Sequence, residues 1–145
     1  MNEMRINKMN NELPIWDLSE IYKNIKDPKI NKDIIKIRES VNKFLKKWKG
    51  EINNLSPSDF LICINEYQEI NEAIYKIATH SSLTFAINME DPEISKYNSS
   101  ISDQITEILS TLIFVTLELS KVDDNTIINW LNDKEAKNWE PYLNI

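Results

Sequence analysis

Two residues of this sequence stand out by their rarity as candidates for a nucleophile or a general base. They are His80 and Cys63, the only histidine and the only cysteine among 145 residues. His80 lies within a helical apolar pattern rather than on a strained turn, and Cys63 lies between two isoleucines. Both positions are typical of packing residues, so we expect neither to be catalytic. A small enzyme built around these two residues is the hypothesis that the sequence favours least.

The residue types also exclude the common metal and phosphate sites. The zinc motif H-E-x-x-H needs two histidines one helical turn apart, and this chain has one. Glu66, Glu69 and Glu72 have helical spacing, but a di-metal bundle also needs Glu-x-x-His motifs, which are absent. Glu66 and Glu69 fall beside the apolar stripe, so we interpret them as solvated. A single glycine cannot build a Gly-rich phosphate loop. We therefore predict no catalytic, metal-binding or cofactor-binding residue in this chain.

The charge pattern argues against nucleic-acid and membrane partners. The formal net charge is −6, whereas a nucleic-acid binder normally has a basic face. Lysines cluster between Lys36 and Lys49, but Glu39 interrupts them, which is typical of a solvated helix face. The longest apolar stretch, Leu112–Leu119, is far shorter than the roughly 20 residues of a membrane span. One cysteine and a polar N-terminus without a secretory signal predict a cytoplasmic protein.

Three long helices must position these residues, and each has the same start signal. A side chain that can cap a helix precedes a proline, whose missing N–H costs nothing in the first turn. The proline also disfavours helix at the residue before it, so it ends the previous element. The three starts are Asp27-Pro28, Ser56-Pro57 and Asp91-Pro92.

Apolar residues recur every three or four positions after each start, which predicts an all-α fold. The short connections predict an antiparallel bundle of about three long helices plus short terminal helices. We expect the first helix to end near Gly50. The third apolar pattern runs from Tyr97 to Val122 and covers most of the helix circumference. We therefore expect the third helix to be the most buried.

The two ends of the chain differ in character. Residues 1–13 are polar and predict a flexible leader, so we place one helical domain at residues 14–145, with a short helix at Thr126–Asn132. Large apolar side chains near the C-terminal end favour a contact with a further domain, and folding back onto the bundle is the alternative. The residues predicted to make this interdomain contact are Phe114, Leu117, Trp130 and Trp139.

Several segments, taken in order, resemble the oligoendopeptidase F family of zinc metallopeptidases. The run Pro14–Tyr22 contains Trp-Asp-Leu-Ser and is similar to the opening of that family. The other matching segments follow in the family's order over residues 14–143. They are Asp27-Pro28-Lys29-Ile30, Lys47-Trp48-Lys49-Gly50, Phe85-Ala86 with Glu90-Asp91-Pro92, and Phe114 with Glu118-Leu119.

This resemblance implies a piece of a longer enzyme. Family members carry H-E-x-x-H in a C-terminal catalytic domain, which this chain lacks, so its partner would be that missing domain. In the full-length parent, zinc would be the cofactor and short peptides the substrates. The N-terminal helices would wall off the active-site channel and restrict entry to small peptides. The alternative is a free-standing helical protein-interaction module.

Overall fold

The computed structural model describes residues 18–132, and this part of the chain contains helices and turns but no strands. The all-α prediction is therefore confirmed. A single 3₁₀ turn, Leu18–Glu20, precedes the first long helix, and a second, Ile52–Asn54, follows it. The α-helices are α1 Pro28–Trp48, α2 Pro57–Ile87, α3 Pro92–Leu112, α4 Phe114–Ser120 and α5 Asp124–Leu131. Residues 1–13, predicted as a leader, lie outside the described residues.

The three predicted helix starts are confirmed, because each predicted capping side chain accepts a hydrogen bond from a backbone N–H group of its helix. Asp27 accepts from the N–H of Lys29 at 3.0 Å, and Ser56 accepts from the N–H of Asp59 at 3.2 Å. Asp91 accepts from Glu93 N–H at 2.9 Å. Each cap satisfies a backbone donor that has no partner within its own helix. Asp123 caps α5 in the same way, through a 2.7 Å bond from the N–H of Thr126.

The end of α1 falls where its glycine allows the chain to turn. The helix stops at Trp48, and Gly50 has φ of 84°, a left-handed conformation that glycine adopts without steric cost. The N–H of Gly50 donates to the Glu118 carboxylate of α4 at 3.0 Å. This bond ties the connection between α1 and α2 to α4.

Contacts between side chains fix the direction of each long helix. Asp33 near the start of α1 pairs with Lys76 late in α2, whereas Lys47 near the end of α1 pairs with Glu66 early in α2. The two helices are therefore antiparallel. The hydroxyl of Ser81 late in α2 donates to Asn98 early in α3, so α3 reverses direction again and runs parallel to α1.

The predicted apolar stripes form one core. The stripe of α1 is buried along its whole length, and eight residues of α2 are buried. The Tyr22 ring, from the segment before α1, closes one end of this core with 2% exposure. The buried α1 residues are Ile30, Ile34, Ile37, Val41, Phe44 and Trp48.

The prediction for the third helix was wrong in two respects. The helical pattern is interrupted at Ile113, which separates α3 from α4 although no glycine or proline marks the position. This segment is also not the most buried, because Leu109, Ile113 and Leu117 are 45%, 58% and 54% exposed. Within residues 18–132, α3 packs against α1 and α2 on one side only. The apolar residues on its other side therefore face outward.

Candidate functional site

The four residues predicted to contact a further domain do not form one exposed surface. Trp130 is completely buried and Phe114 is 7% exposed, so both belong to the core of this chain. Leu117 is exposed. Trp139 lies outside the described residues.

Trp130 is held by a stack and a hydrogen bond. Its ring lies parallel to that of Phe60 with centroids 4.3 Å apart, and its indole N–H donates to the Leu55 carbonyl at 2.9 Å. Phe114 packs between α4 and α1, with its ring centroid 5.8 Å from that of Phe44. Phe114 therefore packs α4 against α1, and Trp130 packs α5 against α2. For these two side chains, packing onto the bundle is what the structure shows.

One apolar strip remains exposed on the outer side of α3 and α4. It consists of Leu109, Ile113 and Leu117, which we call the α3–α4 strip. These residues are spaced four apart, so they are neighbours on the helical surface. Single exposed apolar residues are normal, but a contiguous row is a candidate for contact with another protein surface.

His80 is buried inside the bundle rather than placed in an open cleft. It is 2% exposed, its Nδ1 lies 3.0 Å from the Tyr97 hydroxyl, and its ring meets that of Tyr22 edge-on at 5.1 Å. Burial lowers the pKa of His80 below its usual value and raises the pKa of Tyr97 to about 12. Both side chains are therefore neutral at pH 7, and the prediction of a packed histidine is confirmed.

Cys63 is equally unsuited to nucleophilic chemistry. It is 3% exposed, and burial raises the pKa of its thiol to about 12. Since the thiolate is the reactive form, this cysteine stays protonated and inert at neutral pH.

The buried histidine leads to a prediction about pH. Because burial lowers the pKa of His80 in the folded chain below the ordinary histidine value of about 6.5, the unfolded chain binds this proton more readily. Stability should be unaffected above about pH 6.5 and should fall at lower pH, by at most about 1.4 kcal/mol per pH unit. Urea denaturation at pH 7.5 and pH 5.5 measures this loss.

The control for this prediction is His80→Gln, which cannot titrate. The pKa values of Asp27 and Asp123 are lowered by hydrogen bonds from backbone N–H groups, so these caps titrate at lower pH than the tested interval. The loss between pH 7.5 and 5.5 should therefore shrink in His80→Gln. An identical loss in both proteins would contradict the assignment to His80.

The described residues offer neither a cluster of metal ligands nor a membrane-spanning helix. No group of three or more histidine, cysteine, aspartate or glutamate side chains there could hold a metal ion. No described helix is both long and apolar enough to cross a membrane.

Comparison with known proteins identifies a distant relative of this chain. The chain is 28% identical over 127 residues to an oligoendopeptidase F homolog of Borreliella burgdorferi. The chain is a distant relative of that protein. The aligned residues are 88% of this chain but only 21% of the relative, so the chain spans about a fifth of the length of the curated relative it matches. No family model matches the chain, and no solved structure matches it.

Several of the segments quoted for the resemblance lie at or near the ends of helices in the structure. Trp48 and Gly50 end α1, Phe85 and Ala86 end α2, and Glu118 lies in α4. Two of them also bond across the bundle: Glu118 accepts from the Gly50 N–H, and the Trp48 indole N–H donates to Glu66 at 2.7 Å.

A groove runs between α1 and α2 on the surface of the bundle. Its volume is about 510 Å³. An ion pair marks each end: Lys47 and Glu66 lie 2.8 Å apart at one end, and Asp33 and Lys76 lie 3.8 Å apart at the other. The floor is apolar and is formed by Ile37, Phe44, Ile70 and Ala73.

Hydrogen bonds hold both ends of the groove in place. Burial raises the pKa of Glu66, but bonds from Lys47 and the Trp48 indole outweigh this and leave the pKa below its usual value. At the other end, the Tyr22 hydroxyl donates to Asp33 at 2.6 Å, and burial together with this bond raises the pKa of Tyr22. Both carboxylates are therefore already occupied by partners within the chain.

The sequence did not reveal this groove. From the sequence alone, the lysines from Lys36 to Lys49 are typical of a solvated helix face, and so are Glu66 and Glu69. Lys36 and Lys43 are solvent-exposed, but they also line the groove. The available signal was Ala73, a small residue on the face of α2 that carries isoleucines one turn before and after it. Only the relative position of the two helices shows that this small side chain leaves a space.

Proposed function

We propose that this chain is the N-terminal helical part of a longer oligoendopeptidase-like protein and that it has no peptidase activity by itself. The observation that carries the proposal is the 28% identity over 127 residues, which covers most of this chain and a fifth of the relative. The all-α fold and the single, buried histidine support it.

In the longer protein, the catalytic work would belong to residues outside this chain. We propose that a zinc site there hydrolyses short peptides and that the present helices form part of the channel wall that restricts entry to them. The helices suit this role because they are long and joined by hydrogen bonds at their ends, as at Gly50 and Glu118. The single cysteine excludes an internal disulfide, so we propose a cytoplasmic location.

The α3–α4 strip supports a contact with the remainder of the longer protein. Leu109, Ile113 and Leu117 are about half exposed, and covering them would remove apolar surface from water.

A separate helical interaction module is the second candidate, and the same exposed strip favours it. The two candidates differ in what the gene encodes: an H-E-x-x-H motif in frame downstream supports the first, and its absence supports the second.

A peptidase assay tests the first candidate directly. The purified 145-residue chain should not hydrolyse internally quenched short peptides, with or without added zinc, because its residues do not supply two histidines for the metal. A longer polypeptide that includes a downstream H-E-x-x-H should hydrolyse the same peptides, and a chelator should stop it. Chelator-sensitive hydrolysis by the 145-residue chain would overturn the proposed inactivity.

A further inference from the structure

We propose that the groove between α1 and α2 binds a small molecule or chain end in which an apolar group ends in a single carboxylate. The apolar group would lie on the floor over Ala73, and the carboxylate would lie beside Lys36 and Lys43. This site uses only residues of the present chain, so it goes beyond the proposed function and does not depend on it.

The floor of the groove is suited to an apolar group. Ile37, Phe44 and Ile70 are at most 5% exposed, so the apolar surface removed from water on binding would be mainly that of the ligand itself. Ala73 leaves room above them because its side chain is a single methyl group. A volume of about 510 Å³ lies within the range of known small-molecule sites, which are mostly apolar with a few polar groups.

The α1 side of the groove is suited to a carboxylate. Lys36 and Lys43 are seven residues apart, so they lie on one face of α1 about 10 Å apart, with Ser40 between them. Within residues 18–132, neither lysine makes an ion pair, whereas the other two groove lysines do. Two ammonium groups and a hydroxyl can therefore meet one carboxylate without breaking an existing bond.

The charge of the groove favours a single negative charge. Four lysines and three carboxylates line it, which gives a net charge of +1 in a chain whose net charge is −6. Glu69, on the α2 side, makes no ion pair within the described residues and would repel a phosphate carrying two charges. A monoanion with an apolar body matches both the floor and the charge.

A titration of the full 145-residue chain tests the proposal. ¹⁵N-labelled chain is titrated with sodium octanoate and followed by amide chemical shifts. We expect saturable shifts centred on Lys36–Lys43 and on the α2 residues around Ala73. Octanol, which has the same apolar chain and no carboxylate, should bind at least several-fold more weakly. Equal binding of octanol, or octanoate shifts that are scattered over the molecule, would overturn the proposal.

Paired variants separate the groove from general charge effects. Lys36→Gln with Lys43→Gln should weaken octanoate binding about tenfold, since each removes one contact to the carboxylate. Lys32→Gln with Lys46→Gln removes the same charge from α1 outside the groove and should leave the affinity unchanged. Ala73→Leu should block binding by filling the space, and the lysine variants keep the test valid if it fails to fold. Equal weakening by both lysine pairs would contradict a site in the groove.

Two probes distinguish the two natural ligands that carry an apolar group and a carboxylate. Octanoate represents a free fatty acid, and N-acetyl-leucyl-leucine represents the carboxyl end of a peptide with an apolar last residue. Binding of either one, lost in the Lys36→Gln/Lys43→Gln variant, supports the proposal and names the source. The C-terminal amide of the dipeptide should not bind. The absence of binding by both acids would overturn the proposal, and the peptidase assay above would be unaffected by that result.

Discussion

Replacing Trp130 by alanine is expected to destabilise the chain by about 3–5 kcal/mol. Trp130 is completely buried, stacks on Phe60 and donates to the Leu55 carbonyl, so truncation removes packing, an aromatic contact and a hydrogen bond together. A loss of this size is a large fraction of the about 5–15 kcal/mol that stabilises a typical domain. Urea denaturation followed by far-UV circular dichroism measures it, because this signal does not depend on the deleted indole.

Trp130→Phe is the control for this result. It keeps a ring opposite Phe60 but removes the N–H that reaches Leu55, so we expect a loss of about 1–2 kcal/mol. Leu117→Ala provides a surface comparison, because Leu117 is 54% exposed and such changes usually fall within about 0.5 kcal/mol. A loss below about 1 kcal/mol for Trp130→Ala would show that α5 does not depend on this side chain for its attachment.

The helix starts were predictable from the sequence because they depend on neighbouring residues only. An aspartate or serine before a proline specifies a cap through atoms two or three residues apart, and all three caps form. The same is true of the end of α1, where Gly50 allows a left-handed conformation. Local chemistry is sufficient at these positions, so the prediction did not need the fold.

Whether Trp130 and Leu117 are buried or exposed was not predictable from their neighbours in the sequence. Both are large apolar residues near the C-terminal end, and the sequence predicts an interdomain contact for both. The structure separates them because α5 lies against α2 and presents Trp130 to Phe60, whereas no described helix covers Leu117. Which face of a short helix is covered depends on residues about 70 positions away, and helical periodicity contains no information about them.

The groove between α1 and α2 was also not predictable from neighbouring residues, because it combines residues that are far apart in the sequence. Its α1 side comes from Lys36 and Lys43 and its space comes from Ala73, which is 30 residues further along the chain. Each of these residues is ordinary in its own helix. Their combination depends on the antiparallel register that the Asp33–Lys76 and Lys47–Glu66 pairs mark. By contrast, the absence of two histidines is a property of composition, so the expectation of no zinc motif could be stated from the sequence alone.

The second large effect is expected for Phe44→Ala, at about 3–5 kcal/mol. Phe44 is 2% exposed and lies where three helices meet: its ring centroid is 6.0 Å from that of Tyr67 on α2 and 5.8 Å from that of Phe114 on α4. Removing the ring would leave a cavity that all three helices border, and such a site can collapse only in part. Urea denaturation followed by circular dichroism measures the loss.

The size of the Phe44 effect depends on whether α4 belongs to the folded unit of this chain. Phe44→Leu, which keeps part of the volume, should cost about 1–2 kcal/mol. If α4 is packed as the structure shows, Phe44→Ala and Phe114→Ala should be non-additive, with a coupling of about 0.5–1.5 kcal/mol from their ring contact. Strict additivity would mean that α4 does not pack on α1 in solution. Non-additivity would place α4 within the cooperative fold, so that the exposed α3–α4 strip, including Leu117, is part of a stable surface on the isolated chain.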